Sequence, residues 1–358
     1  MRVDRQFLHP VVAVPVRNEE GRLPRLLAAL AAQDHLDKAG ERLRTVLVLN
    51  GCTDGSRQAA LAAARINPAL DLDLIETAAP ETISHVGSAR RLGMERALAG
   101  SACPPAATVI LTTDADAVPA RDWVSMNLAA IAAGADLVGG HIVGDAEEEA
   151  LLGPGFAARA AAIARYAALA DRLAALVDPL PHDPWPRHRD HTGGSLAVRG
   201  DVYAAVGGMP ALPVREDLAF VSRVRAAGGL LVHPASVRVT VSARLVGRAP
   251  GGMADCLTGW MRDEAEGRPV LVEAPDAIEA RLLRRRLLRD LDGCGAEARR
   301  QVARRLGLDE AALAGSAAAL IERFAPDEPD APAGVPVAPA TARLAALIAS
   351  REAESRAA

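Results

Sequence analysis

The N-terminal part of the chain alternates short apolar runs with longer segments in which apolar residues recur every three or four positions. The short runs are rich in Val, Ile and Leu, which is typical of buried strands, and the longer segments predict amphipathic helices. This alternation is characteristic of βαβ units and a mainly parallel sheet. The predicted strands are 11–16, 45–49, 71–76, 109–111 and 136–143, and the predicted helices are 23–33, 57–65, 88–99 and 119–133.

The pattern changes after residue 145. An acidic run, an Ala-rich helix over 156–177 and a Pro/His-rich loop precede a predicted strand over 195–199. Further elements are predicted as helices from 201 and over 215–227 and strands over 230–233 and 237–241, followed by mostly helical sequence. The predicted domains are 1–250, with 145–190 as an insertion or lid, a helical C-terminal region over 251–324, and a Pro-rich linker over 325–340 with a terminal helix to 358.

Polar side chains follow three of the predicted strands at the point where each strand ends. They are Asn18 and Glu19, then Asp54, then Asp114 and Asp116. In open α/β sheets, ligands bind beyond the carboxyl ends of the strands. The sequence therefore predicts one site that contains all three groups.

Asp114 and Asp116 stand at the mouth of a buried strand, where two carboxylates are costly without a neutralising cation. A hard divalent ion, Mg²⁺ or Mn²⁺, takes oxygen ligands and leaves positions open for phosphate oxygens. The alternative interpretation is an N-cap and turn before the helix that carries Trp123.

Composition narrows the function classes. The net charge of −4 argues against extensive nucleic-acid binding, and Lys38, the single lysine, leaves little room for Schiff-base chemistry. The four cysteines form no CxxC pair and suggest no disulfide framework, so we expect a reducing cytoplasmic location. No signal-peptide pattern and no window of about 20 uncharged apolar residues is visible, so we expect a soluble protein.

Six motifs in order resemble those of family 2 glycosyltransferases of the GT-A fold, over about residues 10–245. They are VPVRNEE, NGCTDGS, GSARRLGMERA, TTDADAVP, GGSLAVRGDVYAAVGGMP and REDLAF. A later segment, VTVSARLVGR, is similar to a Ser-x-Arg segment of a soluble bacterial subset. Arg91 departs from the family pattern, which has Asn there, and the last ~100 residues resemble nothing that we can name.

The resemblance implies a Rossmann-like mixed sheet flanked by helices, with a helical C-terminal extension. It also implies metal-dependent, inverting transfer of a sugar from a nucleoside diphosphate sugar to a hydroxyl acceptor, with Asp217 as the general base. Metal ligation is assigned to Asp114 and Asp116. Donor binding is assigned to Pro15, Asn18, Glu19, Asp54, Arg90 and Asp114, and the acceptor side to His191, Gly193, Gly194 and Glu216.

Each assignment has a plainer structural alternative. Glu19 and Asp54 fit capping and turn roles, and Arg90 fits a solvated helix face. Asp217, with Glu216, fits a helix N-terminus, where the helix dipole lowers a carboxylate's pKa although a general base works best with a pKa near the working pH. The glycine-bracketed loop just upstream favours catalysis.

The histidines of the Pro/His-rich loop, His182, His188 and His191, lie close in sequence to Asp183 and Asp190. A zinc site is one interpretation, but no cysteine joins them, and a mobile lid over the acceptor is favoured. His233 is interpreted as ending a strand, with a role as a third metal ligand as the alternative.

Two further questions concern partners and reaction type. The Arg-rich segment 281–291 suits an anionic membrane surface, but Asp290, Asp292 and the acidic net charge favour helix packing. Rival functions are a sugar-1-phosphate nucleotidyltransferase, which would need a Gly-rich loop after the first strand, and a non-catalytic nucleotide-sugar-binding protein of the same fold.

Overall fold

The computed structural model describes residues 8–38, 42–77, 85–248, 251–327 and 334–357. By contacts the chain separates into two units. The first takes in Met1–Leu151, His188–Val224 and Gly229–Thr258, and the second takes in Leu152–Arg187, Arg225–Gly228 and Gly259–Ala358. The domain boundaries predicted from the sequence stay a prediction.

The described residues contain the following elements. The strands are β1 His9–Val16, β2 Leu43–Asn50, β3 Leu70–Thr77, β4 Thr108–Thr113, β5 Val118–Pro119, β6 Leu137–Gly139, β7 His141–Gly144, β8 Ser195–Arg199, β9 Leu231–Val232, β10 Arg238–Val241, β11 Leu271–Glu273 and β12 Gly334–Pro336. The helices are α1 Leu23–Ala31, α2 Ser56–Ile66, α3 Val86–Ala99, α4 Trp123–Ala132, α5 Ala146–Leu151, α6 Pro154–Val177, α7 Gly200–Ala205, α8 Glu216–Ala226, α9 Met253–Ala265, α10 Pro275–Arg289, α11 Ala296–Leu306, α12 Ala317–Phe324 and α13 Val337–Ala357.

The first unit is built on a seven-stranded sheet in the order β3-β2-β1-β4-β8-β6-β9. Neighbouring strands are parallel except at β8, which runs antiparallel to both β4 and β6. The predicted α/β class, a mixed sheet flanked by helices, is confirmed. The carboxyl ends of β1, β2 and β4 share one edge, where the predicted site residues meet.

Both faces of this sheet are buried, which explains why its strands are continuous apolar runs. Successive residues of a strand point to opposite faces. Val12 and Val14 therefore join a core with the leucines of α1, whereas Val11 and Ala13 join a second core with Met94.

The single strand predicted over 136–143 is wrong, because the structure has two short strands there. β6 belongs to the large sheet, whereas β7 joins a three-stranded sheet in the order β5-β10-β7. The change occurs at Gly140, whose N–H donates to the Ser195 carbonyl at 2.9 Å, while the His141 N–H donates to Val237 at 2.7 Å. A Cβ at Gly140 would collide with the Ser195 hydroxyl and approach Val237 to 2.8 Å, so only glycine fits this crossing.

In the second unit, α6 packs with α10 and α13 around apolar residues such as Leu173, Leu282 and Leu344. Strands β11 and β12 form an antiparallel pair that the sequence did not predict. Residues 334–340, predicted as part of a linker, instead form β12 and begin α13. Pro339 fits there because the first helical turn needs no N–H donor within the helix.

No helix within the described ranges is both long enough and apolar enough to cross a membrane.

Candidate active site

The loop after β1 is tied to the loop after β2 by Asn18. Its side-chain oxygen accepts a 2.8 Å hydrogen bond from the Thr53 N–H, and its φ is +55°, a conformation that Asn tolerates better than most residues. Three residues earlier, Pro15 lies in β1 and is the register partner of Val48 in β2. The pairing of β1 with β4 ends at Ala13, so the missing N–H of Pro15 disrupts no ladder on that side.

Asp54 lies just before α2 and binds the first N–H of that helix. Its Oδ1 accepts from the Ser56 N–H at 3.0 Å and from the Ser56 hydroxyl at 2.6 Å, and its Oδ2 accepts from the Glu20 N–H at 3.1 Å. Burial by itself raises the pKa of Asp54, but these hydrogen bonds lower it in sum. The contacts match the capping role that the sequence also allowed, and donor binding by Asp54 stays a prediction.

Glu19, Asp116 and Arg244 form the acidic corner of the site. Arg244 donates to both carboxylate oxygens of Glu19, at 2.8 and 2.5 Å, and its Nη2 lies 3.0 Å from Asp116. Glu19 is only 5% exposed, so this paired contact supplies the counter-charge that a buried carboxylate needs. Arg244 belongs to the Ser-x-Arg segment, but sequence reasoning gave it no role.

The charge of Asp116 remains undercompensated in spite of Arg244. Burial and the nearby charge of Asp114 raise the pKa of Asp116 to about 6, against the lowering effect of Arg244. A carboxyl group in this condition gains from a further cation.

Arg90 is the centre of the opposite corner and is 3% exposed. Its Nε lies 3.1 Å from Glu216, its Nη2 donates to Asp114 at 2.8 Å, and its Nη1 donates to Thr112 at 3.0 Å and to the Gly193 carbonyl at 2.8 Å. Burial lowers the pKa of the Arg90 guanidinium, but Asp114 and Glu216 raise it in sum. The solvated-face interpretation of Arg90 is therefore wrong, because the buried guanidinium binds four groups on three segments of the chain. Phosphate binding by Arg90 stays a prediction.

The acceptor-side loop enters the site through its glycine pair. The Gly193 N–H donates to Oδ2 of Asp217 at 2.6 Å, and the Gly194 carbonyl accepts from the Thr113 hydroxyl at 2.7 Å. The Arg90 guanidinium packs so closely on Gly193 that a Cβ there would collide with it. Asp217 is thus linked to Asp114 through Gly193 and Arg90, which places the predicted base and the predicted metal ligand on the same side of the sheet.

Glu216 is buried beside the base. Burial and the charge of Asp217 raise the pKa of Glu216, while Arg90 opposes that rise. The preceding residue, Arg215, has a φ of +57°, which costs an Arg roughly 1 kcal/mol. Arg215 immediately precedes the first turn of α8, whose Asp217 accepts from the Gly193 N–H.

His191, assigned to the acceptor side, contacts His233. Its Nδ1 lies 3.1 Å from Nε2 of His233, and His191 is buried.

Next to this pair, His141, His188 and Asp190 lie together. Burial and the neighbouring imidazoles lower the pKa of His188 to about 4, while Asp190 opposes this. Sequence reasoning missed His141 because it lies on β7, 47 positions before His188. His182, from the same histidine-rich loop, belongs to the second unit.

The site's donor set fits a hard divalent ion. Four carboxylates, those of Glu19, Asp114, Asp116 and Glu216, pair with the two guanidinium groups of Arg90 and Arg244. The charge of a fifth, Asp217, also acts on Arg90. The Asp114 side chain is 40% exposed, so it is open to an ion that arrives from solvent. Carboxylate oxygens are the ligands that Mg²⁺ and Mn²⁺ prefer.

The family model described as Glycosyl transferase family 2 matches residues 11–169. These residues form a family 2 glycosyltransferase domain. The match contains Glu19, Arg90, Asp114 and Asp116, which the structure gathers at one edge of the sheet. The predicted recognition is confirmed for this part of the chain, and so is the GT-A-like fold.

The glycosyltransferase domain was also compared with solved structures. TarS of S. aureus is 15% identical over 79% of this chain, with a TM-score of 0.47, and the chain spans 44% of its length. The mannosyltransferase PcManGT of Pyrobaculum calidifontis, solved with GDP-Man and Mn²⁺, is 20% identical, with 95% of this chain and 85% of that chain covered and a TM-score of 0.46. Glucosyl-3-phosphoglycerate synthase of Mycobacterium tuberculosis is 15% identical, with 74% and 81% covered and a TM-score of 0.41. The sequence matches none of the curated proteins with which it was compared.

Proposed function

We propose that the glycosyltransferase domain moves a sugar from a nucleoside diphosphate sugar to a hydroxyl acceptor, with inversion at the anomeric carbon and with Asp217 as general base. The observation that carries the proposal is the chain of contacts from Asp217 through Gly193 and Arg90 to Asp114. It joins a proton acceptor to the carboxylates suited to a metal–diphosphate group.

The donor side is suited to a diphosphate with a bound cation. Asp114 and Asp116 are the residues that would hold Mg²⁺ or Mn²⁺, which supplies Lewis-acid stabilisation of the departing diphosphate. Arg244 keeps the Glu19 and Asp116 carboxylates in fixed positions, and Arg90 does the same for Asp114. Fixed charges of this kind need no rearrangement when negative charge develops on the leaving group.

The acceptor side supplies the base. Asp217 takes the proton of the acceptor hydroxyl while that oxygen forms a bond to the anomeric carbon, and the bond from this carbon to the diphosphate oxygen breaks on the opposite face. The nucleoside diphosphate leaves with the bonding electron pair. Hydrogen bonds from the N–H groups of Gly193 and Leu218, at 2.6 and 2.8 Å, hold the Asp217 carboxylate in one orientation.

A ligand screen tests the donor class. Nucleoside diphosphates and their sugar conjugates are added with Mn²⁺, and thermal unfolding is followed; at least one should raise the midpoint, and less so with EDTA. Calorimetry on that ligand then compares Asp116→Asn with Asp71→Asn, an exposed carboxylate of β3 that serves as the control. We expect the Asp116 variant to lose metal-dependent affinity and the control to keep it.

Two outcomes would contradict the proposal. Equal donor affinity with and without EDTA would remove the metal from the donor site. Release of pyrophosphate from a nucleoside triphosphate and a sugar 1-phosphate would instead identify a nucleotidyltransferase.

A further inference from the structure

A second group of metal-type ligands shares no residue with the carboxylates of the donor site. His141 begins β7, and His188 and Asp190 lie on the loop before β8, so the fold joins residues that are far apart in sequence. One ligand atom from each of these three side chains lies within 4.8 Å of the other two. We propose that His141, His188 and Asp190 bind a divalent transition-metal ion of the Zn²⁺ class.

The distances suit such an ion. Nδ1 of His141 lies 2.7 Å from Oδ2 of Asp190, and Nδ1 of His188 lies 3.8 Å from the same oxygen. Ligand atoms at the usual bond lengths of tetrahedral zinc are about 3.3 Å apart, which falls between the two observed values. Because all three ligand atoms lie within 4.8 Å of one another, modest side-chain movements would bring them to bonding distance.

The carboxylate is already held in place. The Asp190 N–H donates to Nδ1 of His188 at 3.1 Å, and an ion bound at this nitrogen would replace that hydrogen bond. Oδ2 of Asp190 accepts a 3.0 Å hydrogen bond from the Ile142 N–H on β7. Partners of this kind orient metal ligands in known sites. The His191–His233 pair packs against the cluster, with the His188 and His233 rings 5.6 Å apart edge to face, and limits the space in which His188 can turn.

The chemistry of the ligands separates this site from the donor site. Two imidazoles and one carboxylate favour Zn²⁺, Co²⁺ or Ni²⁺, whereas the Asp114–Asp116 pair offers only the hard oxygens that Mg²⁺ prefers. Three protein ligands leave a fourth position for water or another small ligand.

The position of the cluster indicates what a bound ion would do to the loop that carries Gly193. Asp190 precedes Gly193 by three residues, and Gly193 donates to Asp217 and accepts from Arg90. An ion at Asp190 would fix this loop to β7 and restrict the motion of the Gly193 peptide. This last step rests on the proposed function, whereas metal binding itself does not.

Cobalt supplies a direct readout without any substrate. Untagged, metal-free protein is titrated with Co²⁺ in excess Mg²⁺, so that the donor site is occupied by Mg²⁺. We expect one Co²⁺ per chain with visible absorption bands, displaced by Zn²⁺. His141→Gln, His188→Gln and Asp190→Asn should each weaken binding at least ~100-fold, because even the loss of an outer-shell partner costs up to that much.

Controls distinguish this site from others. His182→Gln, from the same histidine-rich loop, and Asp116→Asn should keep the cobalt bands. Circular dichroism of the metal-free variants shows whether they fold. Zn²⁺ should also slow amide hydrogen exchange over residues 188–195 in the native protein only.

Absence of Co²⁺ binding, or binding that persists in all three ligand variants, would overturn the metal site and leave the cluster a hydrogen-bonded network. Neither result bears on sugar transfer. Cobalt binding without any change in exchange over 188–195 would overturn the loop-fixing role.

Discussion

The Gly193 N–H donates to the Asp217 carboxylate across 2.6 Å, while the carbonyl of the same glycine accepts from Arg90 at 2.8 Å. The two backbone groups of Gly193 therefore fix the proposed base with respect to Arg90, whose guanidinium binds Asp114. The site depends on backbone groups as much as on side chains. Substitutions of the proposed base and of the buried arginines should therefore change different quantities, the transfer rate in one case and the free energy of unfolding in the other.

Asp217→Asn should lower the rate of sugar transfer about 10²–10⁴-fold, because an amide cannot take the acceptor's proton. The amide oxygen can still accept from Gly193, so donor affinity and thermal midpoint should stay close to those of the native protein. Steady-state rates and calorimetry check both parts. A variant that keeps more than a third of the native rate would rule out Asp217 as the base.

Arg90→Lys should destabilise the protein although the charge is kept. A lysine cannot reach Glu216, Asp114, Thr112 and Gly193 together, and each buried group left unpaired costs about 1–3 kcal/mol. The neighbouring Arg91→Lys is the matched control, because Arg91 is exposed and pairs with Glu95 one turn away. Its free energy of unfolding in urea should change by less than about 0.5 kcal/mol. Equal losses in the two variants would contradict the central role of Arg90.

Arg244→Ala should cost about 3 kcal/mol of unfolding free energy, because it leaves Glu19 buried without its counter-charge. Arg248→Ala should cost less than about 1 kcal/mol, since Arg248 is more exposed and lies 4.0 Å from Glu19. Adding Glu19→Gln to Arg244→Ala should recover part of the loss, which a double-mutant cycle in urea measures. Strict additivity of the two substitutions would disprove the coupling.

Glu148 supplies a pH-dependent link between α5 and the segment of Arg244. Its Oε2 accepts from the Ser242 hydroxyl and the Ala243 N–H, both at 2.8 Å, and its Oε1 lies 2.7 Å from Arg22. Burial raises the pKa of Glu148, but these partners lower it in sum below the usual 4.5.

Because the folded pKa is the lower one, the stabilisation by Glu148 is present above the unfolded pKa and is lost as the pH falls through the folded value. Glu148→Gln should therefore be less stable than the native protein at neutral pH, and the difference should be smaller at an acidic pH below the usual 4.5. Urea unfolding at both pH values measures it. A difference that grows on acidification would contradict this account.

The sequence predicted the first half of the sheet well because its strands are short, apolar and separated by periodic helices. It failed at residues 136–143, where Gly140 lets one apolar run serve two sheets. The Gly139-Gly140 pair is a local mark of that change, but its cause is the approach of Ser195 and Val237 from later in the chain.

The residues of the candidate site were likewise only partly predictable from the sequence. Asp114, Asp116 and Asp217 stand in motifs that short-range patterns can display. The partner of Glu19 could not be found in this way, because Arg244 is 225 positions away. His141 was missed for the same reason, since its relation to Asp190 follows from the position of β7 beside β10 and not from any spacing.

Strand β8 occupies the gap between β4 and β6, although both of them precede it in the chain. While the ribosome is still adding Ser195–Arg199, β4 has one open edge and β6 has no partner at all, since β9 comes later still. Unpaired edges of this kind invite association with other nascent chains. A fragment that stops at residue 169, where the family match ends, would keep that exposed state permanently. Shortening the gene to its recognisable part should consequently yield aggregates instead of a minimal enzyme.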